Sequence, residues 1–179
     1  AGSYTVTVKD DNNCSTSAGP VTITEPTSIS ASMGVPTMVS CNGGSDGSVT
    51  VTGSGGTVAG DYTYLWSDGQ TTATATGLVA GSYTVTVKDD NNCSTSAGPI
   101  TITEVTPVSG TIGVPTMVFC NGGSDGSVTV TGSGGTVAGD YTYLWSDGQS
   151  TATATGLVAG SYTVTVKDDN NCQTIAGPV

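Results

Sequence analysis

The chain repeats itself. Cys14, Cys93 and Cys172 recur at an interval of 79 residues, and Cys41 and Cys120 keep the same interval. Ala1-Gly2-Ser3-Tyr4 returns as Ala80-Gly81-Ser82-Tyr83 and as Ala159-Gly160-Ser161-Tyr162. From Cys41 to Asn92 the one change against Cys120 to Asn171 is Thr71 becoming Ser150. A period of this length marks a tandem array of small structural units. A fold needs only its core and turns preserved, so copying this close points to recent duplication or to selection for identical units. The period divides the chain into 1–28, the C-terminal part of a truncated repeat; 29–107, a complete repeat; and 108–179, a repeat lacking its last strand. Both ends are expected to cut through a repeat of a longer parent protein, with any export signal or anchor outside this window. No apolar run is long enough to span a membrane.

Within 29–107 the apolar period is two, the spacing of half-buried strands. Val49 and Val51 alternate with Ser48, Thr50 and Thr52, and Tyr62, Tyr64 and Trp66 share one face of the next strand. Thr72 to Leu78 reads as a short strand. Tyr83, Val85 and Val87 then alternate with Thr84, Thr86 and Lys88, and Ile100 and Ile102 with Thr101 and Thr103. Asn42-Gly43-Gly44, Ser54-Gly55-Gly56, Ser67-Asp68-Gly69, Ala80-Gly81 and Asp90-Asn91-Asn92 punctuate these runs as turns. The pattern predicts an all-β chain of tandem immunoglobulin-like β-sandwiches, with Leu78 to Tyr83 as the corner between sheets. Trp66, Tyr64 and Tyr83 read as core packing rather than as a sugar platform.

Charge narrows the partners. The net charge is −11, with three lysines and no histidine or arginine, so the array repels nucleic acid and anionic membrane surfaces. The cysteines come two to a period, Cys41 with Cys93 and Cys120 with Cys172, while Cys14 belongs to the truncated copy. A periodic pair in an acidic, Thr-rich chain of secreted character favours disulfides over metal binding or catalysis. Two periodic pairings fit: Cys41–Cys93 within a repeat, or Cys14–Cys41 and Cys93–Cys120 across junctions. The first is preferred, because a small unit gains by closing its own long loop.

Catalytic chemistry finds little to use. Acid–base and nucleophilic catalysis need a group tuned near neutrality beside a nucleophile, and the sequence reads as that of a protein that is not an enzyme. Asp89 and Asp90 are neighbours on an extended chain and point to opposite faces. No cofactor is implied other than calcium, which takes oxygen ligands of the kind these turns carry. The candidate ligands are Asp46, Asp68, Asp89 and Asp90 with their counterparts Asp125, Asp147, Asp168 and Asp169. They would form a site only where the turns meet at one end of a sandwich; otherwise Asp and Asn cap tight turns. Lys88 reads as an edge guard rather than an isopeptide partner, and the Thr rows as ordinary solvent-facing strand positions. Asn13-Cys14-Ser15 and Asn92-Cys93-Ser94 match a glycosylation sequon that Gln173 removes from the third copy.

One combination of motifs carries a family resemblance. Cys41-Asn-Gly-Gly-Ser-Asp-Gly-Ser-Val, Tyr64-Leu65-Trp66-Ser67-Asp68-Gly69, Gly77-Leu78 with Ala80-Gly81-Ser82-Tyr83-Thr84-Val85-Thr86-Val87, Asp90-Asn91-Asn92-Cys93 and Thr22-Ile23-Thr24-Glu25-Pro26 together resemble the SprB-type repeat. That repeat belongs to large gliding-motility and cell-surface adhesins of Bacteroidota. Val58-Ala59-Gly60-Asp61 departs from it, where the family tends to a shorter, proline-containing link. The resemblance implies an extracellular location on a bacterial surface and a role in adhesion or gliding. With near-identical copies and no catalytic site, the expected function is a structural stalk whose partners are neighbouring repeats. Two alternatives remain open: a carbohydrate-binding repeat recognising surface polysaccharide by avidity, and a subunit of a multi-chain filament completed by strand exchange.

Overall fold

The computed structural model describes residues 1–179, and every regular element in it is a strand. A hairpin comes first, β1 (Gly2–Lys9) and β2 (Ser15–Ile23). The first sandwich follows, with β3 (Ser30–Met33), β4 (Gly47–Ser54), β5 (Thr63–Trp66), β6 (Thr74–Leu78), β7 (Gly81–Lys88) and β8 (Ser94–Ile102). The second repeats it as β9 (Ser109–Ile112), β10 (Gly126–Ser133), β11 (Thr142–Trp145), β12 (Thr153–Leu157), β13 (Val164–Lys167) and β14 (Gln173–Ala176). In each sandwich two three-stranded antiparallel sheets face one another, ordered β3-β4-β6 and β5-β7-β8 in the first, β9-β10-β12 and β11-β13-β14 in the second. These are tandem immunoglobulin-like sandwiches, as the strand pattern predicts.

The two-residue alternation explains the core. Val49 and Val51 of β4 and Tyr83, Val85 and Val87 of β7 point inward, while the intervening Thr50 and Thr84 face solvent. Trp66, Ala75, Leu78, Ile102 and Val39 complete the cluster. Trp66 is buried, and its indole N–H donates to the Thr72 carbonyl at 2.8 Å. The chain crosses between sheets after Leu78, and the Tyr83 hydroxyl donates back to the Val79 carbonyl at 3.0 Å. That is the corner read from the sequence.

The same sequence meets different surroundings along the chain. β1 and β2 pair in the register of β7 and β8, Gly2 with Ile23 as Gly81 with Ile102. No second sheet covers that hairpin, so Tyr4, Val6, Val8, Val21 and Ile23 are exposed. In the second sandwich the last strand is present as β14 and ends at Ala176, whereas β8 runs on to Ile102. A cavity of about 290 Å³ lies beside the second core. Its lining includes Val118, Gly126, Leu157 and Tyr162, the counterparts of Val39, Gly47, Leu78 and Tyr83.

Candidate functional site, a covalent joint between sandwiches

Each sandwich has two poles, built by different loops. At the first pole of the first sandwich the turn after β7 meets the loop after β4. Asp89 accepts hydrogen bonds from the amides of Thr57 (2.9 Å), Asn91 (3.0 Å) and Cys93 (2.8 Å), which close the turn into a rigid loop. Gly56, at φ +71°, makes room: a Cβ there would lie 2.6 Å from the Asp89 carboxylate. Asn92 takes the left-handed conformation at φ 63° and points the chain into Cys93. The Thr57 amide, followed by those of Cys93 and Asn91, holds the Asp89 carboxyl below the ordinary Asp range, against the opposing effect of burial.

The opposite pole is built by the loop that carries Cys41. Val39 donates its amide to the Thr103 carbonyl at 3.0 Å, and Gly43 donates to the Glu104 carboxylate at 2.6 Å. The Asn42 amide group reaches the Val105 carbonyl at 3.3 Å. Asp46 closes the loop, accepting from the Ser40 hydroxyl and, at 3.0 Å, from the Ser40 amide. Those two bonds, the hydroxyl first, draw the Asp46 carboxyl below the ordinary range. Cys41 is thereby fixed beside the segment that leads into the second sandwich.

There the two sandwiches are joined. A disulfide links Cys41 to Cys172, 131 residues further along the chain. Asn170 donates its side-chain amide to the Ser40 carbonyl at 3.3 Å, and Cys172 Sγ lies 3.4 Å from the same oxygen. The Asp168 carboxylate holds the Cys172 turn as Asp89 holds its own, accepting from Thr136, Asn170 and Cys172 at 2.8, 3.0 and 2.9 Å.

This pairing corrects both sequence expectations. Cys41–Cys93 does not form, nor do Cys14–Cys41 and Cys93–Cys120; Cys14, Cys93 and Cys120 are free and exposed. The reason is the length of β8. Cys93 precedes its first residue and Cys41 sits beside its end, so nine residues of strand separate them. At about 3.3 Å per residue that is ~30 Å, whereas a disulfide needs Cα atoms within about 7 Å. The cysteine at the far pole of one sandwich instead meets the cysteine at the near pole of the next. The signal lies in the strand order, since a cysteine in the hairpin before the last strand cannot reach a loop at that strand's end.

The acidic candidates divide in the same way. Asp89 and Asp90 lie at one pole, and Asp90 accepts from the Ala59 amide at 2.6 Å. Asp46 and Asp68 lie toward the other, where Asp68 accepts from the Gln70 amide and side chain at 3.2 and 2.7 Å. Asp125, Asp147, Asp168 and Asp169 repeat these roles on Phe119, Gln149, Thr136 and Ala138. The turns do not converge, and no group of three acidic, cysteine or histidine side chains is arranged to hold a metal ion. The aromatic candidates are likewise taken up in packing. Trp66 and Trp145 are each 2 % exposed, which leaves neither indole face open to a sugar.

Comparison with known proteins bears on the repeat itself. The family model described as SprB repeat matches residues 34–71 and 112–150. Each match runs from the loop that carries Cys41 or Cys120 through the buried tryptophan to the turn beyond it. No curated protein matches the chain. Among solved structures, the three N-terminal domains of the bacteriophage RB49 Highly Immunogenic Outer Capsid protein (Hoc) are similar, at 22 % identity and a TM-score of 0.46. The alignment covers 84 % of this chain and 57 % of that one.

Proposed function

With residues 34–71 and 112–150 being SprB repeats, we propose that this chain is a tension-carrying segment of the stalk of a large bacterial cell-surface adhesin, serving adhesion or gliding. The observation that supports the reading is the Cys41–Cys172 joint. Two sandwiches connected only by Glu104 to Pro107 would pivot about that linker. A second, covalent connection between facing poles converts the pivot into a two-point attachment and keeps the long axes of the two sandwiches in register. The disulfide also places residues 42–171 inside a closed loop, where a pull on the chain ends does not reach them. A secreted, oxidising setting fits both the bond and an array exposed to shear and proteases.

Single-molecule extension of the chain by its two ends tests this. In the oxidised protein only residues 1–41 and 172–179 should lengthen. Reduction should release the enclosed segment, on the order of 450 Å of contour at ~3.5 Å per residue. Equal extension with and without reductant would remove the mechanical basis of the proposal. Antibody labelling of intact cells that make the protein addresses its location, and labelling only after permeabilisation would count against a surface stalk.

A further inference from the structure

The structure contains one complete joint and the separate halves of others. The Cys93 turn repeats the Cys172 turn residue for residue, Asp89-Asp90-Asn91-Asn92-Cys93 against Asp168-Asp169-Asn170-Asn171-Cys172. It also repeats its geometry without being bonded: Asn92 and Asn171 both sit at φ 63°, and the amides of Cys93 and Cys172 donate to their aspartates at 2.8 and 2.9 Å. The Cys14 turn does the same, with Asn13 at φ 65° and the Cys14 amide 2.8 Å from Asp10. On the other side, the Cys120 loop keeps the tight turn of the Cys41 loop, and Asp125 accepts the Phe119 amide at 3.2 Å as Asp46 accepts that of Ser40. The Gly44 amide donates to the Cys41 carbonyl and the Gly123 amide to the Cys120 carbonyl, each at 2.9 Å. The turn half therefore keeps its bonded shape without the bond, and the unpaired cysteines are exposed.

We propose that the Cys120 pole is a docking site for the Asp-Asp-Asn-Asn-Cys turn of another copy of this unit, and that Cys120 bonds that turn's cysteine as Cys41 bonds Cys172. The partner is recognised by what the existing joint shows. The turn's first asparagine would donate to the Phe119 carbonyl as Asn170 donates to that of Ser40, and the two sulfurs would then meet. Given a disulfide oxidant such as oxidised glutathione, the Cys120 thiolate attacks the glutathione disulfide, forming a mixed disulfide and releasing one reduced glutathione. The thiolate of the docked turn then displaces the second glutathione, leaving the protein disulfide and two reduced glutathiones overall. Joints of this type give head-to-tail growth, because the two halves differ and lie on different poles. The inference stands on the joint alone and holds whether or not the rod serves adhesion.

Incubating the whole chain in a glutathione redox buffer at physiological salt, followed by non-reducing electrophoresis and mass mapping of the linked peptides, tests it. The expected products are a ladder of oligomers whose links join Cys120 to Cys93 or Cys14, with Cys41–Cys172 intact in every rung. C120S should leave the chain monomeric and its internal bond unchanged. N91A combined with N12A should slow ladder growth several-fold without altering the Cys41–Cys172 bond. Links that pair Cys120 with Cys120, or turn with turn, as often as Cys120 with a turn would show indiscriminate oxidation of exposed thiols and overturn the proposal. A ladder that survives C120S would do the same.

Discussion

The carboxylate of Asp89 accepts the amide of Thr57 at 2.9 Å, tying the turn after β7 to the loop after β4 across 32 positions of sequence. That bond, with those from Cys93 and Asn91, favours the ionised form and holds the carboxyl below its ordinary 3.8. The folded-state value is therefore lower than the unfolded one. Its contribution to stability is complete above the unfolded value and is lost as pH falls through the folded one. Denaturant midpoints measured from pH 7 down to pH 2 should fall most steeply below about pH 4. D89N should start from a lower midpoint at pH 7 and show a shallower acid decline. An acid decline as steep as that of the parent chain would mean that other carboxylates carry the effect.

Asn92 and its counterpart Asn171 test the turn itself. Both occupy the left-handed region, which alanine enters only at a cost of about 1 kcal/mol and glycine enters freely. N92A should destabilise the first sandwich by roughly that amount, and N92G should fall within a few tenths of a kcal/mol of the parent. Urea unfolding of the two variants side by side gives the comparison, and equal losses would point to the Asn side chain rather than the backbone.

Trp66 separates a packing role from a binding one. It is buried among Val49, Val51, Val85 and Val87 and spends its indole N–H on Thr72. W66A should cost about 3–5 kcal/mol, while L65A, on the solvent face, should cost well under 1 kcal/mol. Should W66A unfold outright, W66F provides the graded variant, read by thermal denaturation. A W66F protein as stable as the parent would contradict the core assignment.

Ile102 closes the first core, where it is 1 % exposed. I102A should cost about 2–5 kcal/mol, read as a lower urea midpoint and faster amide exchange in β4 and β7. An I102A protein as stable as the parent would contradict its place in the core.

Much of the fold is legible in the residues themselves. Val49, Val51, Val85 and Val87 announce their faces by alternation, because a strand leaves no other way to bury one residue in two. The corner at Val79 and Tyr83 is equally readable. Strand limits are less so: β6 starts at Thr74 rather than Thr72, and β8 reaches back to Ser94 through Ser and Thr that carry no apolar period. The joint escapes such a reading because periodicity dictates how often cysteines recur and not which pole each occupies. Pole assignment needs the order of strands in the sheets, and Cys41 and Cys172 come together only after two separate folds are complete.

That last condition governs how the protein can be made. Cys93 lies less than half as far along the chain from Cys41 as Cys172 does. In an unfolded chain, loop closure alone favours the nearer partner by about 0.8 kcal/mol. Once the first sandwich has formed, β8 holds Cys93 out of reach and the wrong bond is barred. Direct formation of the joint thus demands an order in time: folding has to run ahead of oxidation, with the thiol at Cys41 kept reduced until the next sandwich delivers its turn.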